Sequence, residues 1–122
     1  MPYILEELEV YQLSEKLASK IWQIVMIWPA FEKFGVGKQL TSSVDSISAN
    51  IAEGYGRYFV KENIHFCFYA RGSLLETKSW IRKSYQRGLI NEITYGLLMD
   101  ELELIHRKLN GYIKVLKNNT RP

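Results

Sequence analysis

The stretch SISANIAEGYGR, Ser46 to Arg57, admits two readings that lead to different folds. A phosphate-cradling loop needs Gly-x-Gly-x-x-Gly between a strand and a helix, so that the backbone can approach a pyrophosphate. Gly54 and Gly56 supply the first two positions, but Phe59 stands at the third. The residues ahead of them are wrong for a strand, because Leu40, Val44, Ile47 and Ile51 recur at helical spacing. The stretch therefore reads as the end of a helix, with Gly54 expected in the left-handed C′ conformation and Gly56 letting the chain reverse. The similar FGVGKQ at 34–39 lacks the spacing of a P-loop.

Working outward, this helix runs back to about Lys38, and its many serines leave room for another helix to approach closely. Upstream, Val10, Leu13, Leu17, Ile21, Ile24 and Trp28 mark a first helix over 8–28, stopped by Pro29. Tyr11, Ala18, Trp22 and Val25 form a second apolar line on another face. PAFEKFGVG, 29–37, carries the breakers of a loop. Downstream, Cys67, Ala70, Leu74, Thr77 and Ile81 predict a third helix over 60–86, with Phe66, Phe68, Tyr69 and Trp80 around its remaining circumference. Gly88 ends it, and Asn91 is placed to cap a fourth helix carrying Leu98, Leu102, Ile105, Leu109, Tyr112 and Leu116. Short connections between amphipathic helices predict an all-α fold, an antiparallel up-down-up-down four-helix bundle, as a single domain over 1–122.

Composition narrows the function classes. The single Cys67 excludes an internal disulfide and a multi-cysteine metal site, which points to a reducing cytoplasm. MPYILEELEV is acidic where a signal peptide is basic, and IWQIVMIW at 21–28 is too short to span a membrane. His65 and His106 are isolated, with no metal-ligand spacing. No nucleophile elbow or triad pattern occurs, so neither an enzyme nor a cofactor is expected. Charge is uneven: residues 1–56 hold 4 Lys and Arg against 7 Asp and Glu, whereas 57–122 hold 12 against 6.

The basic half carries the candidate binding residues. Arg71, Lys78 and Arg82 are spaced to form one stripe along the third helix, with Lys83 and Arg87 on the same helix and Lys114 and Lys117 near the end of the fourth. Such a stripe matches the footprint of phosphate-backbone binding. It also matches a solvated face whose cations complement a helix dipole. Ser46, Asn50, Glu53 and Arg57 share one side of the second helix, which reads as a structural network, with Glu53 pairing to Arg57, in preference to a polar site.

NIAEGYGR at 50–57, ARGSLLET at 70–77, LEVYQLSEKLA at 8–18 and GVGKQL at 35–40 together resemble the 23S rRNA-intervening-sequence proteins, some of them encoded within insertions in bacterial large-subunit ribosomal RNA genes. Asn50, Glu53, Gly54, Gly56, Arg57, Ala70, Gly72, Ser73 and Glu76 match that family's motif positions. The resemblance implies a four-helix bundle assembled as a homopentamer, which would cover the second apolar lines, and no established enzymatic activity. A related branch, accessory proteins of diversity-generating retroelements, binds nucleic acid and a reverse transcriptase. Two expectations follow: binding of structured RNA or another nucleic acid through the third helix, or a scaffold for a partner protein such as a reverse transcriptase. Two departures bear on the choice. TSSVDS follows Gln39-Leu40 where the family usually carries arginines, and Tyr58-Phe59 replaces a usual Ser cap.

Overall fold

Three short corners separate four long helices among residues 4–119, which are the residues the computed structural model describes. A single 3-10 turn, Leu5–Glu7, leads into α1, Glu9–Met26. Helix α2 begins with Ala30–Glu32, continues through a π-helical segment, Lys33–Gly37, and runs on as Lys38–Tyr55. Helices α3, Val60–Gln86, and α4, Glu92–Asn118, complete the bundle, and no strand occurs among the described residues. Each helix packs antiparallel on its chain neighbours, and α4 closes the square against α1.

The corners show how local chemistry sets these boundaries. At the end of α3, Gly88 adopts φ 75°. Its N–H bonds to the Tyr85 carbonyl at 3.1 Å while that of Leu89 reaches Ser84 at 2.9 Å, a Schellman closure of the orphan carbonyls. Asn91 then caps α4, its Oδ1 accepting from the Thr94 amide at 2.8 Å.

Two expectations about glycine are corrected. PAFEKFGVG is helical, because Pro29 is pre-set to precede a helix and its carbonyl accepts the first bond, from the Lys33 amide at 2.8 Å. Gly37 sits inside this helix with φ −61° and is buried. A Cβ there would lie 2.7 Å from Val25 Cγ1 and 3.3 Å from Trp28 Cε3, so this glycine serves close packing against α1. Gly54 likewise is not left-handed, since Gly88 has the only positive φ among the described residues. Its missing side chain admits α3: a Cβ would meet the Asn63 carbonyl and Phe66 Cβ, each at 2.9 Å. The turn itself falls to Gly56, the C-cap, in ordinary right-handed geometry with φ −79°.

One apolar cluster runs the length of the bundle, with Leu17, Val44, Leu74 and Leu102 at its centre. The second line on α1 divides: Ala18 and Val25 enter this core, while Trp22 remains 54% exposed. Helix α1 lies between α2 and α4 and so buries a wider arc than one stripe. The serines of α2 do face neighbours. Ser43 accepts from the buried Thr77 hydroxyl of α3 at 3.0 Å, and Ser48 donates to Glu15 of α1 at 2.6 Å. Each also bonds a carbonyl of its own helix, which satisfies the hydroxyl without water.

Candidate nucleic-acid interface

The stripe Arg71, Lys78 and Arg82 lies on the side of α3 that borders α4, where it meets residues far away in sequence. Arg71 donates to Asn110 Oδ1 at 2.8 Å and lies over the Phe68 ring at 5.0 Å. Lys117 approaches the same ring from α4 at 5.6 Å, so two cations flank one aromatic. Lys78 pairs with Glu103 at 3.4 Å, which neutralises part of the stripe. Arg82 and Lys114 are exposed and have no acidic partner among the described residues. The other two candidates lie apart. Lys83 leans over Trp80 at 5.4 Å, and Arg87 lines a separate cleft at the opposite end with Phe31, Glu32 and Leu89.

The family-motif residues are mostly occupied in holding the bundle. Asn50 donates to the Ser46 carbonyl at 2.8 Å, and Arg57 pairs with Glu53 at 2.8 Å while covering Phe66 at 4.8 Å. Ala70 is fully buried, the Ser73 carbonyl accepts from Thr77, and Glu76 accepts from Trp80 Nε1 at 3.3 Å. Gly72 is exposed, and a Cβ added there would meet nothing of its own chain within 4 Å. Asn63, which the motif reading did not single out, is the knot at this end. It seats against Gly54, donates to the Tyr112 hydroxyl at 3.1 Å and accepts from Cys67 Sγ at 3.7 Å, joining α2, α3 and α4.

Sequence reasoning missed a second surface on α3. Where α3 leaves the α2 corner, an open groove of about 530 Å³ is lined by Arg57, Phe59, Lys61, Glu62, His65, Phe66 and Tyr69. Phe66 and Tyr69 meet edge to face at 5.5 Å. A signal was available: Lys61, His65 and Tyr69 recur every four residues, which places them in one row.

The titratable groups offer little chemistry. Burial pushes the Cys67 thiol from 9.0 up to about 11, far from a reactive thiolate. Asp45 is raised by burial and then by the neighbouring Glu15, both lining shallow clefts between α1 and α2. Among the described residues no three His, Cys, Asp or Glu side chains converge as a metal site, and no helix is long and apolar enough to cross a membrane.

The thiol has a consequence for stability. Between about pH 9 and 11 the unfolded chain gives up the Cys67 proton while the folded chain keeps it. The unfolded state then binds fewer protons, so stability falls as pH rises. At about 1.4 kcal/mol per unit, the loss reaches up to about 3 kcal/mol across the window. Urea unfolding at pH 9, 10 and 11 should show this decline in the wild type and a shallower one in Cys67→Ala. A residual slope is expected from Tyr112, whose hydroxyl is raised by burial against a lowering from its bond to Asn63.

The family model for 23S rRNA-intervening sequence proteins matches residues 6–111. A crystal structure of a protein of unknown function from the S23 ribosomal protein family of Bacteroides thetaiotaomicron has the same fold. It superposes with a TM-score of 0.80 at 24% identity, over 86% of this chain and 95% of that one. Among curated proteins, no sequence matches at a significant level.

Proposed function

The chain belongs to the 23S rRNA-intervening sequence protein family, and from that premise we propose that it is a non-enzymatic, self-assembling bundle that binds structured RNA or another nucleic acid. The carrying observation is the convergence of cations from two helices on the α3–α4 face, with Arg71 and Lys117 both lying against the Phe68 ring. Guanidinium and ammonium groups gathered on one face suit a phosphate backbone, which is read by charge and position before sequence. The acidic first half of the chain keeps the opposite side of the bundle from competing for the same ligand.

Assembly as a homopentamer is part of this proposal. Ile27 and Phe31, 85% and 87% exposed, form with Phe34 an apolar corner between α1 and α2 that one chain leaves uncovered. A ring would repeat a modest cationic face five times and gain avidity beyond the share of one subunit. The same corner favours a second reading, a scaffold for a partner protein such as a reverse transcriptase, in which salt would matter little. A reducing cytoplasm is the compartment that suits either role and the single buried Cys67.

Titrating purified protein against labelled hairpin RNA and duplex DNA across a salt series, with solution mass measured in parallel, tests the reading. Phosphate contacts should give a linear fall of log affinity with log salt, steeper by about 0.9 for each duplex phosphate engaged. Absence of binding at low salt, together with a stable assembly, would favour the scaffold.

A further inference from the structure

The groove at the start of α3 differs in chemistry from the cationic α3–α4 face. Its apolar lining is entirely aromatic, from Phe59, Phe66 and Tyr69, with no aliphatic side chain among its walls. Protein-docking grooves present aliphatic anchors as well as rings, whereas base-stacking platforms combine aromatic faces with cations. Here Arg57, paired with Glu53 at 2.8 Å, lies over Phe66 at 4.8 Å and lines the opening. Lys61 and His65 stand along the rim with no hydrogen-bond or ion-pair partner among the described residues, and Glu62 is the single acid in the lining.

The rings are also accessible. Phe59 is 60% and Tyr69 57% exposed, each with one edge-to-face ring partner (Tyr58 and Phe66), so a ligand can reach them without a rearrangement of the core. Lys61, His65 and Tyr69 extend over about 12 Å of helix axis at 1.5 Å per residue, room for a short run of nucleotides. The groove faces the α2 side of α3, since Phe66 packs at Gly54. Phe68, adjacent in sequence to Tyr69, faces the α4 side, where Lys117 reaches it. The Arg71–Lys117 contact at Phe68 and the aromatic groove thus lie on opposite sides of one stretch of α3.

We propose that the groove of Arg57, Phe59, Lys61, His65, Phe66 and Tyr69 is a stacking site for unpaired nucleobases. Bases lie against Phe59 and Tyr69, and the intervening phosphates take Lys61 and His65. The inference rests on the nucleic-acid reading above and sharpens it: the ligand class is a strand with unpaired bases next to a helical stem, as in a hairpin or junction. The stem phosphates lie along α3–α4 and the loop bases fill the aromatic groove.

The test compares wild type, Tyr69→Ala, and the double variant Phe59→Ala/Tyr69→Ala in binding a labelled 12-nucleotide oligouridylate and a fully paired duplex of the same length. Both positions are exposed, and Tyr69→Ala serves alone if the double variant does not fold. Losing one stacking ring should weaken the single strand about 5- to 150-fold, with duplex affinity changed less than twofold. Unchanged single-strand affinity in both variants overturns the assignment, as does an equal loss of duplex affinity in Tyr69→Ala. A variant that loses oligomer mass along with affinity also overturns it, because a second copy then covers the groove. Arg82→Glu separates the two readings. If it weakens duplex binding while the groove variants change nothing, the stacking site alone fails; if the wild type binds neither probe, the nucleic-acid reading fails with it.

Discussion

Gly54→Ala is expected to lower stability by about 1–3 kcal/mol, although alanine is the better helix former by about 1 kcal/mol. The new methyl would lie 2.6 Å from Asn63 Oδ1 and 2.9 Å from both the Asn63 carbonyl and Phe66 Cβ. The amide side chain could turn away, but only by giving up its place between Tyr112 and Cys67. The carbonyl and Cβ are fixed to the α3 backbone and cannot move without separating the two helices. Gly37→Ala should behave similarly, with Val25 and Trp28 as the obstructed side chains. Gly96 and Gly111, exposed in α4 with nothing within 4 Å of a Cβ, are the controls, and alanine there should stabilise by about 0.5–1 kcal/mol. Urea midpoints for the four variants decide it. A Gly54→Ala protein as stable as the controls would mean that α2 and α3 do not cross as closely as described. Gly72→Ala adds a separate question, because nothing in its own chain requires glycine there: a loss of assembly mass without loss of helicity would place a second copy against it.

The same glycines show what the sequence does and does not disclose. Apolar spacing, Pro29, Gly88 and Asn91 are local signals, and they place α3 at its observed limits and cap α4 with its observed bond. Gly37 and Gly54 look identical in sequence to helix-ending glycines. Their role depends on Trp28 and Asn63, which only the folded bundle brings against them. The breakers in 29–37 misled for that reason, and the π-helical turn absorbs them. The cationic stripe was readable because Arg71, Lys78 and Arg82 share a helix. That Arg71 is held by Asn110 and Lys78 neutralised by Glu103 was not, since the partners lie 39 and 25 residues away. The aromatic groove fell between these cases: its row on α3 is periodic, but Arg57 and Phe59 join it only through the chain reversal after Gly56.

Arg71→Glu, Lys78→Glu and Arg82→Glu combined are expected to lower RNA affinity by about 10²–10³-fold per binding unit near 0.1 M salt, since each lost phosphate contact removes about 0.9 of a log unit per decade of salt. The three positions should not contribute equally. Arg82 has no acidic partner among the described residues and is the cleanest probe, so Arg82→Glu alone should cost the most of the single changes. Lys78 already spends part of its charge on Glu103, and Lys78→Ala should cost less. Lys78→Glu sets a carboxylate beside Glu103 and adds a local repulsion, so helicity and melting temperature must be followed with affinity. Arg71→Glu breaks the bond to Asn110 and leaves Phe68 with Lys117 alone. Arg71→Lys keeps the charge while losing the fixed geometry, which separates the two contributions. The salt slope carries the decision: removal of real phosphate contacts makes it shallower by about 0.9 each on a duplex, whereas a general loss of fold lowers affinity at every salt without that ordered change. A triple variant that keeps both its fold and its wild-type slope would show that the stripe is a solvated face, and would leave the apolar corner at Ile27, Phe31 and Phe34 as the surface through which the bundle acts.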